Sequence, residues 1–410
     1  MTKQKIKITA LSKNGRGIGY FSGRPVFIPH ALIGETWLCD TKNDEFKCIV
    51  ELPDRLIPPC NHFPACGGCT TQHIPKLLYQ TWKMGLLREH LTQKGINFDP
   101  KNMITFGDHK RRRCALSAMK NVSGRVLLGY HRIHSHELIS LEDCLVLTPT
   151  IVKSLPGLRT LLDIILKPNI TARITILQCE QGLDVDLSSI HMDKSPFHSL
   201  EITTLAHQLG LIRLTHGGDT FIMQTQPTVR LNQTCIPIPN ATIFLQPIYE
   251  AERKICRYIS SAVGNSKYVA DLFCGIGSFT FDIAQNSKVL AIDYNKFAIA
   301  SLKKGYNNSK GLKPIRTLVR DLFREPLSRR ELEAFDAVIF DPPRSGAEQQ
   351  AKAIASSKVK TIVAVSCNPQ TLARDLKILI DGNYKLVELY PIDQFSYSAH
   401  LECVAVLKKV

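Results

Sequence analysis

Asp271-Leu272-Phe273-Cys274-Gly275-Ile276-Gly277-Ser278-Phe279 is the stretch on which the fold turns. The apolar residues from Tyr268 to Phe273 read as a buried strand, and a helix is expected after the loop. Gly275 and Gly277 let the chain turn tightly between the two and let backbone approach a ligand closely. Downstream the pattern alternates. It predicts strand Val289 to Asp293, helix Asn295 to Asn307, strand Ile315 to Arg320, strand Ala337 to Phe340 and strand Thr361 to Ser366. Helix Ala251 to Ala262 precedes the loop. Helix Thr371 to Ile380 and strands near 384–390 and 401–407 close the chain. Strands alternating with helices predict a doubly wound, Rossmann-like α/β domain over residues 249–410, with its ligands outside the carboxyl ends of the strands.

Towards the amino terminus the character changes. Residues 4–51 hold short alternating runs broken by turn signals, such as Ile6-Lys7-Ile8, Asn14-Gly15, Val26-Phe27-Ile28 and Thr36-Trp37-Leu38. That many short strands predict a small barrel over residues 1–54. The placement of Gly15, Gly17, Gly19 and Gly34-Glu35 resembles a TRAM domain, an OB-like RNA-binding barrel. Residues 52–75 are rich in Pro, Cys and Gly and read as irregular, and Leu77 to Leu91 has helical periodicity. From Arg113 to Ile248 the pattern is mostly strand-like, with one helical stretch from Pro149 to Leu166. Residues 55–248 are therefore read as a β-rich central domain.

The 410 residues suit two or three domains with sizeable cores. Lys and Arg number 52 against 36 Asp and Glu, a net charge of +16 that attracts polyanions. Nucleic acid is the expected partner. No run reaches the ~18 apolar residues of a membrane span, and Met1 to Lys13 is charged with no apolar core behind it. A cytoplasmic protein follows, with no membrane partner, no evident obligate protein partner and a monomer as the default. Its 13 cysteines are then mostly reduced, so ligation or catalysis suits them better than disulfides.

The loop's chemistry narrows the ligand. Asp293, at the end of the second strand, can take two hydroxyls of a ribose. Dinucleotide folds and methyltransferases share that arrangement, but the third glycine of a dinucleotide fingerprint would fall at Thr280 and is missing. Asp321, past the third strand, could bond an adenine amino group or simply be a solvated loop residue. Asp341-Pro342-Pro343-Arg344 follows the fourth strand, where two prolines stiffen the chain beside a carboxylate. Ser366-Cys367-Asn368-Pro369 follows the fifth, and the helix beginning near Thr371 should favour thiolate at Cys367. Glu402 lies in an otherwise apolar strand, where a carboxylate has a raised pKa and can shuttle a proton.

Taken in order, Asp-Leu-Phe-Cys-Gly-x-Gly, Asp-Pro-Pro-Arg, Ser-Cys-Asn-Pro-x-Thr-Leu-Ala-Arg-Asp and His400-x-Glu402 resemble the RNA uracil-5-methyltransferase family. The resemblance implies a class I methyltransferase domain that uses S-adenosylmethionine. It implies Cys367 as the nucleophile that adds to C6 of uracil and Glu402 as the base that removes the C5 proton. Phe273, Gly275, Ser278, Asp293, Asp321 and Asp341 would line the cofactor site, with the target base drawn from its stack to reach Cys367. The family's Phe-x-Gln-x-Asn motif matches Phe244-Leu245-Gln246-Pro247-Ile248, which makes Gln246 a cofactor contact. The final Asn is replaced by Ile248, Ser278 stands where some relatives carry Asn, and Asp293 where many carry Glu.

Cys60, Cys66 and Cys69 are spaced C-x5-C-x2-C, and Cys144 follows in Glu-Asp-Cys. Four thiolates in an irregular segment suit zinc or an iron–sulfur cluster. With Gln72-His73, the spacing resembles the 23S ribosomal RNA uracil-5-methyltransferases, which implies a [4Fe-4S] cluster and 23S rRNA as substrate. His109-Lys110-Arg111-Arg112-Arg113 is the densest basic run and is expected to meet phosphate, with Tyr130-His131-Arg132 adding stacking and charge. Competing readings are a tRNA uridine-5-methyltransferase, a cytosine-5 enzyme, which tends to use two cysteines at the reacting edge, and a non-catalytic RNA-binding or ribosome-assembly factor.

Overall fold

The computed structural model describes residues 3–40, 45–133, 135–188 and 200–410; Met1, at the head of the charged start, lies outside them. Two three-stranded sheets form the amino-terminal barrel. One is built from Gln4–Lys7, Thr36–Asp40 and Glu45–Val50, the other from Ala10–Leu11, Gly17–Phe21 and Arg24–Ile28. Ile6, Ile8, Ile28, Ala31, Trp37 and Cys39 fill the space between them. Gly19 is needed where the sheets cross, because a Cβ there would stand 2.2 Å from Ile6 Cγ2 and 2.8 Å from the Lys7 carbonyl.

Seven strands make the central sheet, in the order Leu138–Ser140, Val126–His131, Arg113–Lys120, Thr171–Gln178, Leu183–Ser188, Leu211–His216 and Asp219–Met223. Helix Pro149–Ile165 covers one face with Leu155, Leu158, Leu161 and Leu162, spaced three and four apart as a packed helix requires. The strand-rich reading is borne out here. Helix Leu200–Gln208, however, stands where strands were expected, and the pair it helps to connect, Leu183–Ser188 with Leu211–His216, is parallel.

The carboxyl-terminal α/β reading is also borne out. Eight strands run in the order Ile315–Val319, Lys288–Asp293, Tyr268–Leu272, Ala337–Phe340, Thr361–Ser366, Glu402–Lys409, Tyr384–Asp393 and Ile104–Thr105. The first five are parallel, and Glu402–Lys409 runs antiparallel between Thr361–Ser366 and Tyr384–Asp393. This reversal brings the start of one strand to the edge where the parallel strands end. Helices Tyr249–Val263 and Lys296–Asn307 pack on the side that holds Ile255, Ile259, Ala298 and Leu302; helix Pro369–Asp381 packs on the other through Leu372, Leu376 and Leu379. Asn295 and Asn368 cap the last two helices through their side-chain oxygens, and Pro369 occupies the first position of its helix. Residues 76–105 precede the central sheet in the chain yet join this layer. Helix Lys76–Gln93 places Leu87 and Leu91 in its core, and Ile104 and Thr105 pair with Ile392 and Asp393. Among the described residues no helix is long and apolar enough to cross a membrane.

Candidate active site

The site is assembled at the carboxyl edge of the parallel strands. In the loop after Tyr268–Leu272, Gly275 has φ +56° and open space where a Cβ would be, and Gly277 has φ +94° with Phe281 and Leu302 packed against it. The first leaves room at the loop's surface; the second excludes any side chain. Both oxygens of Asp293 accept backbone N–H groups, from Gly275 at 2.9 Å and Asn295 at 2.8 Å, so this carboxylate fixes the loop and the next helix start together. Ser278 is half-buried in the same loop, and its carbonyl accepts the Cys256 thiol. Phe273 packs its ring against Phe323, 5.4 Å away. Asp321 caps a turn, accepting from Phe323 N at 2.9 Å, with its side chain partly open to solvent.

Three carboxylates stand close together with burial as the dominant influence on each. Asp271 is pushed up to about 7 although Thr280 donates to it, and its second oxygen has no partner. Asp341 is raised by burial and then by the Asp271 charge, and Glu402 rises well above the usual range by burial and then by Asp341. An unbroken amide chain links two of them. Gln246 Nε2 donates to Asp341 Oδ2 at 3.1 Å, while Gln394 Nε2 donates to Gln246 Oε1 at 2.6 Å and to Glu402 Oε2 at 2.7 Å. The remaining oxygen of Glu402 is buried without a partner. Such a pocket is short of positive charge, which fits a cationic ligand.

Cys367 follows directly from the pair Ser366↔Cys403, so the register sets it beside Glu402. Asn368 Nδ2 and Thr371 Oγ1 both donate to the Arg344 carbonyl, which ties the cysteine turn to the Asp-Pro-Pro-Arg loop. The expectation of a favoured thiolate is corrected. Burial pushes the Cys367 thiol up to about 12, Glu402 and Asp341 add to the rise, and Arg344 alone among the side chains opposes it. The helix start is too weak against burial beside two carboxylates.

Sequence reasoning missed Gln394, since nothing in a loop glutamine advertises its partners. Ile248 departs from the motif because it is a core residue, 3% exposed, at the head of helix Tyr249–Val263. The motif's backbone is held instead by Arg112, which donates to the Gln246 carbonyl at 3.1 Å and pairs with buried Glu252 at 2.8 Å. Arg112 of the basic run is thereby structural. Lys110 pairs with Glu250, Arg113 lies over the Phe244 ring, and Arg111 lines the adjoining cleft.

That cleft, of 1150 Å³, runs between the barrel, the central sheet and the loop before Glu402; Arg16, Arg132, Arg344 and His400 also line it. Cys60, Cys66, Cys69 and Cys144 all open onto it. Gly68 N donates to Cys66 Sγ at 3.4 Å, the Gln72 amide donates to Cys69, and the N–H groups of Val146 and Leu147 point at Cys144. Among the described residues no three His, Cys, Asp or Glu side chains converge tightly enough to hold one metal ion. Tyr130 lines the cleft and packs on Gly68, 3.3 Å from where a Cβ of residue 68 would be.

Comparison with known proteins agrees with this geometry. Residues 232–410 match the tRNA (uracil-5-)-methyltransferase family and residues 2–37 the TRAM domain. An uncharacterised RNA methyltransferase of Brucella suis is 37% identical over 415 residues, covering 100% of this chain and 99% of its own. A 23S rRNA (uracil(1939)-C(5))-methyltransferase of Alcanivorax borkumensis is 28% identical over 442 residues, covering 100% and 97%. Among solved structures, the Pyrococcus abyssi tRNA (uracil-54, C5)-methyltransferase, in complex with S-adenosyl-L-homocysteine, superposes with a TM-score of 0.76 over 98% of this chain and 99% of that one. At 21% identity that likeness is one of fold.

Proposed function

Because the chain belongs to the RNA uracil-5-methyltransferase family, we propose that it methylates C5 of a uridine in 23S ribosomal RNA through a covalent bond from Cys367 to C6. The observation that carries this reading is the meeting of Cys367 and Glu402 at one strand edge, with Glu402 joined to Asp341 through Gln394 and Gln246. C5 of uracil is a poor nucleophile. Attack of the Cys367 sulfur on C6 moves the ring's π electrons onto C5 as an enolate, and the thiol proton passes to water as the S–C6 bond forms. S-adenosylmethionine, when bound, supplies the methyl group on a positively charged sulfur, the charge this carboxylate-rich pocket lacks. Gln246, Phe273, Gly275, Ser278, Asp293, Asp321 and Asp341 would hold it. Glu402 then takes the C5 proton, the C5–C6 double bond re-forms, and Cys367 departs with the C6–S electron pair.

The choice of 23S rRNA over tRNA is supported by the cysteine pattern and by the Alcanivorax relative. Mapping 5-methyluridine in RNA from a strain lacking the gene tests it: one 23S uridine is expected to lose its methyl group. Loss confined to tRNA would reassign the substrate.

Cys60, Cys66, Cys69 and Cys144 are assigned to a [4Fe-4S] cluster. Four thiols facing one cavity, three of them met by N–H donors, suit sulfurs that carry negative charge on a cluster. Protein purified without oxygen is expected to contain about four iron and four sulfide per chain. Cys69→Ser is expected to lose most of both; stoichiometric zinc in their place would overturn the assignment.

A further inference from the structure

Lys83 is the feature that the reaction scheme leaves unused. Its side chain has no exposure, and its ammonium donates to three acceptors, Asp393 Oδ1 at 2.6 Å, the His400 carbonyl at 2.7 Å and the Phe395 carbonyl at 3.2 Å. Three donors meet three acceptors, so the group is fully satisfied. Those acceptors are the two ends of one connection, residues 394–401, which leaves strand Tyr384–Asp393 and returns at Glu402. Gln394 stands at its start and reaches Glu402.

Neighbouring elements hold the same connection. Tyr79, one helical turn before Lys83, donates to Asp393 Oδ2 at 2.7 Å and accepts the Tyr397 N–H at 3.2 Å. Thr70 N, next to Cys69, donates to the Tyr397 carbonyl at 2.8 Å. Tyr397 itself has φ +61°, a conformation that a non-glycine residue keeps only when its surroundings fix it.

We propose that Lys83 is a positioning residue, which clamps both ends of the 394–401 connection so that Gln394 and Glu402 face C5 of the target uracil. The proposal rests on the reading of Glu402 as the proton acceptor. Through Thr70 and Tyr79 the same clamp joins the cysteine segment to the reacting edge, so that helix Lys76–Gln93, which precedes the central sheet in the chain, is tied to the α/β layer.

A purely structural ion pair would make a different prediction. Breaking a buried pair on one side destabilises, whereas neutralising both sides restores stability. The experiment therefore compares wild type, Lys83→Met and the double variant Lys83→Met/Asp393→Asn as full chains, reading thermal stability, kcat, KM for RNA and KM for S-adenosylmethionine. Lys83→Met alone is expected to melt early. The double variant is expected to regain stability yet keep a kcat lowered by roughly 10²-fold, with both KM values within about threefold of wild type. Wild-type kcat in the double variant overturns the proposal, as does a loss carried by KM. Should the double variant not fold, Tyr79→Phe keeps the ion pair and removes only the hydroxyl. A fall in kcat of about tenfold at constant KM is then expected, and an unchanged kcat overturns the clamp. Wild-type protein that makes no 5-methyluridine would sink the functional reading itself. Wild-type turnover with an unimpaired double variant sinks the clamp alone.

Discussion

Cys367→Ala is expected to lower turnover by roughly 10⁴-fold or more, since alanine has no group that can attack C6. It is also expected to remove the covalent adduct that wild-type protein forms with RNA carrying 5-fluorouridine. Fluorine at C5 cannot leave as a proton, so the reaction halts with the sulfur still on C6 and the complex survives denaturing electrophoresis. The side chain is half-buried, and its loss leaves the bonds of Asn368 and Thr371 to the Arg344 carbonyl in place. Binding of S-adenosylmethionine, followed by calorimetry, is therefore expected to stay within about threefold of wild type; a thiol to methyl change outside the cofactor loop removes no contact to that ligand. An adduct that survives Cys367→Ala would assign the attack to another residue and sink the mechanism.

The same substitution bears on how the thiol is activated. Burial and two neighbouring carboxylates favour the protonated sulfur in the free protein. Activation must accompany substrate binding, when the uracil ring and a cationic methyl donor replace water and offset the carboxylate charge. Adduct formation by wild type is accordingly expected to need bound RNA and to speed up as pH rises. A resting thiolate would instead be alkylated readily without RNA.

The legibility of the sequence followed local chemistry. Strands Ala337–Phe340 and Thr361–Ser366 were readable to the residue, because both are wholly buried and both end at turn-formers, Asp341-Pro342 and Asn368-Pro369. Helix Leu200–Gln208 was not. It is only nine residues long and carries Thr203 and Thr204, so propensity and period both speak for strand. Arg112 read as one charge in a basic run, and only tertiary pairing with Glu252 shows that it faces inward. Lys83 did carry a signal. It lies four residues from Tyr79 and from Leu87, on the stripe that also holds Leu91, and a lysine at such a position calls for a buried acceptor. Gln394 carried none. Glu402 meets it from the start of the very next strand, but Gln246 comes from far away in the chain, and only the fold brings it there.

Glu402→Gln is expected to separate methyl transfer from product release. Burial raises the Glu402 pKa well above the usual carboxylate range, a shift that favours the neutral acid. The amide imitates that neutral acid in shape and can still accept from Gln394 Nε2, so the variant is expected to fold normally. It cannot accept the C5 proton. With ordinary uridine RNA and S-adenosylmethionine, Cys367 would attack and C5 would take the methyl group once, after which the adduct has no route to resolve. A methylated protein–RNA complex is expected to accumulate while turnover falls by roughly 10² to 10⁴-fold. The pH dependence gives a second readout, and its sign follows from the direction of the shift. The carboxyl must be ionised to act as a base, and its pKa is raised, so wild-type resolution of the adduct is slow at low pH and speeds up as pH rises through that value. Glu402→Gln has no such group, and its residual resolution is expected to be flat over the same range. Asp341, the other raised carboxylate on the amide chain, is the alternative proton acceptor. A Glu402→Gln variant that turns over within tenfold of wild type and keeps the rising limb would assign the proton to Asp341.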